Sequence, residues 1–204
     1  MIDFFKWIRE SKRHERPWVV FGKGPSFERH RDFPRLDEEY ETVGLNHACR
    51  ERKMVLTHMI DVNVLDEVPD MFLKCDYLIL PWQPHVKFRP TPKTLQDFID
   101  EREDLQRFER KGRLLWYNAS TGGAPRAGSP KVGVAWFSAE AVIRMLAMAG
   151  VKKIRTLGID GGSSYGKSFK DIPPLRGGHT TFDHQNAPIK ATVQKFGVDY
   201  GPMA

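Results

Sequence analysis

Four apolar, β-favouring residues, Trp18-Val19-Val20-Phe21, run directly into Gly22-Lys23-Gly24-Pro25-Ser26-Phe27. A short uninterrupted apolar run bounded by a glycine turn reads as a strand buried on both faces. The glycines that follow leave backbone N–H groups open to a phosphate, because no Cβ stands in the way. The run is neither of the two common phosphate loops. A dinucleotide-binding Gly-x-Gly-x-x-Gly would need its third glycine where Phe27 stands, and the Gly-Lys-Ser/Thr ending of a Walker A loop is absent. By itself the loop serves equally as a plain strand-to-helix turn.

Outward from this stretch the same grammar repeats. Further strands are expected at Thr42–Leu45 before Asn46, at Met54–Met59 before Asp61, at Cys75–Pro81, at Leu114–Tyr117 and at Lys153–Ile159 before Asp160-Gly161-Gly162. Between them, Thr91–Arg110 carries Leu95, Phe98, Leu105 and Phe108 among alternating charges and is expected to form one solvated helix. Ser138 is expected to cap an apolar helix through Ala149, with Gly150 ending it, and a C-terminal helix contains Ile189-Lys190-Ala191. Short apolar strands alternating with helices predict an α/β protein, a mostly parallel central sheet with helices on both faces. Ligands of such sheets sit at the carboxyl ends of the strands.

Length and composition agree with a single domain: 204 residues, 40% hydrophobic and 28% charged. The division expected is an amphipathic helix within residues 1–16 and the main domain over 17–204. The first helix carries Ile2, Phe5 and Ile8 with Phe4 and Trp7, and it suits either packing on its own core or a peripheral membrane contact. Cys49 and Cys75 are the two cysteines, which excludes a disulfide framework and a cysteine-rich zinc site. No run is long and apolar enough to span a membrane, so the chain reads as a cytoplasmic protein with a peripheral membrane contact left open. The 32 basic and 26 acidic residues leave +6. Gly112–Ile159 holds seven Lys/Arg and one acid, Glu140, a surplus read as support for a phosphate- or carboxylate-bearing ligand rather than a nucleic-acid surface.

Candidate chemistry lies at the strand ends. Asn46 has the paired donor and acceptor to read a base or sugar, though a lone Asn also makes a turn. Ser138 at a helix start suits a phosphate, or simple capping. Asp160 suits ribose hydroxyls, with Gly161 admitting the ligand to the backbone. His179 and His184, the latter beside Asp183, lie in a polar loop where an imidazole can serve as general base. A zinc site from these three lacks ligand spacing, no Asp-x-Asp clamp occurs, and no metal is expected.

In their order along the chain, Gly22-Lys23-Gly24-Pro25-Ser26, Asn46, Ser138, Gly158-Ile159-Asp160 and Gly162-Ser163-Ser164-Tyr165 resemble the bacterial lipooligosaccharide sialyltransferases. They are also similar to the wider group sharing that Rossmann-like fold, which includes archaeal pterin diphosphokinases. The resemblance spans about Val19 to Phe196 and rests on about a dozen residues. It implies a metal-independent glycosyltransferase of bacterial surface glycan synthesis. Its co-substrate would be a nucleotide-activated sugar, CMP-linked, with no other cofactor, and its acceptor a glycan or lipid-linked sugar. By position, Gly22, Lys23, Gly24, Pro25, Ser26, Asn46, Ser138, Asp160 and Gly161 would hold the nucleotide. Tyr165 would help the phosphate leave and His184 would deprotonate the acceptor. Lys23 departs from the family's asparagine and adds a charge suited to a different anionic donor. The alternatives are an ATP-dependent diphosphokinase acting on a pterin-like alcohol and a non-catalytic nucleotide- or glycan-binding module. The chain also reads as one module of a larger glycan-assembly enzyme.

Overall fold

The computed structural model describes residues 1–121, 123–175 and 178–204; Gly122 and Gly177, expected in loops, lie outside the described residues. The first half runs β1 (Ile2–Asp3), α1 (Phe4–Glu10), β2 (Trp18–Phe21), a 3-10 run (Pro25–Asp32), α2 (Leu36–Glu39), β3 (Glu41–Leu45), β4 (Met54–His58), α3 (Val64–Glu67), α4 (Met71–Lys74) and β5 (Cys75–Pro81). Then follow β6 (His85–Val86), β7 (Arg89–Pro90), α5 (Leu95–Glu101), α6 (Glu103–Arg110), β8 (Leu114–Ala119), β9 (Lys131–Val132), α7 (Ser138–Met148), β10 (Lys153–Leu157), α8 (Asn186–Phe196) and β11 (Asp199–Pro202).

The main sheet has the order β1-β8-β5-β4-β3-β2-β10-β11, with β9 beside the end of β8, and every pairing in it is parallel. The α/β architecture with a mostly parallel sheet is therefore as the strand grammar predicts. Alternation along each strand feeds two cores. Val19, Phe21, Leu78 and Leu80 join Leu95, Phe98, Leu105 and Phe108 of α5 and α6 on one face. Trp18, Val20, Val43 and Ile79 join α1, α7 and Ile189 of α8 on the other.

Several local expectations are corrected. The opening helix is confined to Phe4–Glu10, and Ile2 and Asp3 pair with Leu115 and Trp116, so the first residues belong to the sheet. Phe4, Phe5, Trp7 and Ile8 are buried against it, so α1's aromatic side chains face the core rather than a membrane. The helix expected over Thr91–Arg110 is two, broken at Arg102, whose backbone is extended and whose guanidinium holds Asp66 and Asp104. The break falls within five consecutive charged residues, Asp100 to Asp104. Ser138 is the first helical residue of α7 rather than its cap. Glu140 caps instead, its carboxylate accepting from the N–H groups of Ala135, Trp136 and Phe137 at 2.9, 3.3 and 3.1 Å. The edge strand β11, Asp-Tyr-Gly-Pro, shows no alternation in sequence and carries a proline that only an edge tolerates.

Successive strands β2 to β5 and then β8 step across the sheet in one direction, after which the chain returns through α7 to place β10 on the other side of β2. The sheet thus reverses its order between β2 and β10, and their loops diverge there. Gly22 and Gly158 fill the gap backbone to backbone. A Cβ on Gly22 would stand 2.1 Å from the Gly158 carbonyl oxygen, and Gly158 itself holds φ +76°. Gly22→Ala is expected to lower stability by more than about 3 kcal/mol in urea unfolding, because the obstacle is backbone that cannot move aside. A loss under about 1 kcal/mol would show that the two loops are not packed as described.

Candidate functional site

A cavity of about 500 Å³ opens over this reversal point. Its floor comes from the residues that follow the strands: Gly22 and Lys23 after β2, Asn46 and His47 after β3, Ile60 and Asp61 after β4, Thr121 after β8, and Gly158 to Gly161 after β10. Of the residues expected to bind or react, Gly22, Lys23, Gly24, Asn46, Ser138, Asp160, Gly161 and Tyr165 all line it. Pro25, Ser26 and His184 are not among its lining residues.

The glycine loop is held by its neighbour across the sheet. Gly22 N–H donates to Leu157 and Gly24 N–H to Gly158, each at 2.8 Å. Ser26 donates both its N–H (2.7 Å) and its hydroxyl to the Asp160 carboxylate, while its hydroxyl oxygen accepts from Gly158 N–H at 2.7 Å. Asp160, expected to receive ribose hydroxyls, joins the two loops as a clasp with Ser26 and also lines the cavity. Gly24 must lack a side chain because a Cβ would meet Asp160 Oδ2 at 2.5 Å. Asn46 takes φ +53° at the end of β3, a left-handed conformation that asparagine tolerates better than most residues and that turns the chain at the cavity edge.

The opposite wall is aromatic. Tyr165 stacks on Phe182 with centroids 5.4 Å apart, and the Lys23 ammonium lies 4.5 Å over the Tyr165 ring. Phe137 packs on Phe182 at 5.4 Å and on His179 at 4.6 Å. His179 lines the cavity, whereas His184 is exposed with its ring against Trp136 at 5.1 Å. Asp183 does not orient either imidazole. Its carboxylate accepts from Gly162 N–H at 2.9 Å and from the Thr181 hydroxyl at 2.8 Å, tying this loop to the end of β10, and those bonds hold its pKa below the usual range. Ser138 puts the amino end of α7 at the cavity, where the Glu140 carboxylate already accepts from the three N–H groups ahead of the helix.

The acidic and imidazole groups of His47, Asp61, Glu67 and His85 also line the cavity and were not singled out by the sequence reading. His47 is buried, with Nε2 3.0 Å from Glu67 Oε2. Burial pushes its pKa down to about 4, Lys23 adding to the effect and Glu67 opposing it. Burial raises the Asp61 carboxyl and lowers the His85 imidazole. The signal available for Asp61 and His47 was their place directly after strands, which alone does not separate a site residue from a turn.

The basic surplus of Gly112–Ile159 goes elsewhere. None of its seven Lys/Arg lines the cavity, whose lysines are Lys23 and Lys87. Arg113 donates to the carbonyls of Phe72, Cys75 and Asp76, Arg126 lies over Trp82 and Trp116, and Arg155 pairs with Asp199. These cations brace loops and strand ends. Comparison with known proteins found no matching family model, no matching curated protein and no matching solved structure.

His58, in β4, is enclosed with Nε2 2.9 Å from the Tyr117 hydroxyl, and burial pushes its pKa down to about 3. His47 and His58 are therefore neutral when folded, while the unfolded chain protonates both near pH 6.5. With folded values below unfolded ones, the stability of the neutral forms is present above about pH 6.5 and is lost as pH falls. The loss is about 1.4 kcal/mol per pH unit for each histidine, continuing until the folded values are reached. Urea midpoints at pH 7, 6 and 5 should fall in that order, and His58→Gln should flatten the slope by about one proton's worth. An unchanged slope in that variant would assign the acid sensitivity to other groups.

Proposed function

We propose that this protein is a glycosyltransferase that uses a nucleotide-activated, CMP-linked sugar. The observation that carries the reading is convergence. Residues scattered from Gly22 to Tyr165, selected by their place in the sequence, meet around one cavity at the reversal point of a parallel sheet, where such sheets bind nucleotides.

The nucleotide lies along Gly22 to Gly24 and Asn46, with the phosphate toward Ser138 and the amino end of α7. The acceptor hydroxyl attacks the anomeric carbon as the bond from that carbon to the phosphate oxygen breaks, and the nucleotide leaves with the electron pair. Lys23, the Tyr165 hydroxyl and the N–H groups at the start of α7 offset the charge that develops on the phosphate. The proton passes from the acceptor hydroxyl to an imidazole. His179 takes this role in place of His184, because it lines the cavity while His184 is exposed outside the lining.

Titration calorimetry should show cytidine monophosphate binding in preference to adenosine and uridine monophosphates. Binding of adenine nucleotides alone would replace the donor assignment with the diphosphokinase reading. With a CMP-sugar donor, His179→Ala should lower kcat by at least about 100-fold with cytidine monophosphate affinity unchanged, and His184→Ala should leave kcat within a few-fold. The reverse ranking would return the base to His184.

A further inference from the structure

Among the described residues three large apolar side chains are exposed, Leu73 (65%), Trp136 (49%) and Phe88 (47%), and both aromatics belong to the cavity wall. Phe88 is exposed at a cost in backbone energy as well. It forms, with Lys87, the two-residue turn of the β6–β7 hairpin, in which His85 pairs with Pro90 and Val86 with Arg89. Both turn residues are left-handed, at φ +49° and +65°. Such turns favour Asn-Gly because a Cβ is strained there. Packing does not explain an aromatic residue at this position, because a ring left about half exposed contributes little to the core.

The end of β4 holds the strained turn in place. Asp61 Oδ1 accepts from Phe88 N–H at 2.6 Å, and Asn63 Oδ1 accepts from Lys87 N–H at 2.8 Å. The hairpin is joined to the same segment by Val62 N–H to His85 O at 3.0 Å and His85 N–H to Ile60 O at 2.8 Å. His85 Nε2 lies 3.2 Å from the Thr121 hydroxyl. Asp61, His85 and Thr121 all face the cavity on the side away from Gly158 to Gly161, across the carboxyl ends of β4, β5 and β8. The raised pKa of Asp61 reflects the partial enclosure of this region.

We infer that this half of the cavity is a sugar-binding subsite, with Phe88 as the platform for the apolar C–H face of a pyranose and Asp61, His85 and Thr121 as partners for its hydroxyls. A pyranose has one face of C–H bonds and a rim of hydroxyls. Aromatic walls with a few converging polar groups match both features. That the bound sugar is the acceptor rests on the glycosyltransferase reading; that a sugar binds does not.

Ligand-observed NMR with methyl galactoside, methyl glucoside, methyl mannoside and lactose tests the subsite. At least one of the four should bind the wild-type protein in the millimolar range. Phe88→Ala should weaken it at least 10-fold, with cytidine monophosphate affinity within twofold. Phe88→Gly separates ring from fold: glycine accepts φ +65° without strain, so the melting temperature should hold or rise while sugar binding is still lost. No binding by any of the four, or binding undiminished in Phe88→Gly, overturns the subsite. Cytidine monophosphate binding without sugar binding would sink the subsite alone, and sugar binding lost with Phe88 but without cytidine monophosphate binding would sink the donor reading alone.

Discussion

Gly22 and Gly158 touch backbone to backbone where the order of the sheet reverses, and the glycine loop and the end of β10 are held against each other by that contact. Two parallel strands whose connections leave in opposite directions open a crevice at their carboxyl ends. Here the loops stay close at the floor of the crevice because neither residue has a side chain, and two backbone hydrogen bonds bridge them. The Ser26–Asp160 clasp then fixes how far the glycine loop lies from the end of β10. Beyond the clasp, Asp183 anchors the loop that carries His179 and Phe182 to Gly162. The aromatic wall therefore depends on the same pair of strand ends as the floor.

The distribution of charge follows a related logic. A net charge of +6 suggests an anionic partner, yet the densest basic stretch supplies no cation to the cavity. Its arginines bind carbonyl oxygens and aromatic faces at loop and strand ends, where a planar guanidinium with several donors serves better than an ammonium. Within that stretch the one acid, Glu140, is buried and gathers three N–H groups ahead of α7. Lys23, isolated between two glycines in sequence, lines the cavity floor. Local density of charge measures surface composition; placement at a strand end determines what a ligand meets.

Much of the site was legible because strand ends are visible in sequence. An apolar run terminating in Gly22, Asn46 or Asp160 marks a carboxyl end, and in a parallel sheet all carboxyl ends share one edge. The roles were less legible than the positions. Asp160 carries the same carboxylate whatever it meets, and only the three-dimensional approach of residues 134 apart gives it Ser26 as a partner. His179 and His184 differ by five positions in one polar loop, and the turn of the 3-10 helix Phe182–Gln185 places one in the cavity wall and the other against Trp136. Phe88 and Trp136 gave no pattern, since an exposed aromatic in a loop looks like any other until its neighbours are known.

The amino-acid sequence by itself determined the alternation of buried strands and helices, the parallel sheet and the glycines that turn at its edge. Those features depend on neighbours within a few residues, through apolar periodicity and the sterics of Cβ. Tertiary structure alone decided the strand order, with β10 inserted beside β2, the pairing of Ser26 with Asp160, and the docking of the Phe88 hairpin on Asp61 and Asn63 at the cavity. Each joins segments far apart in the chain, and contacts at that range are set by how whole elements pack, which no local pattern encodes.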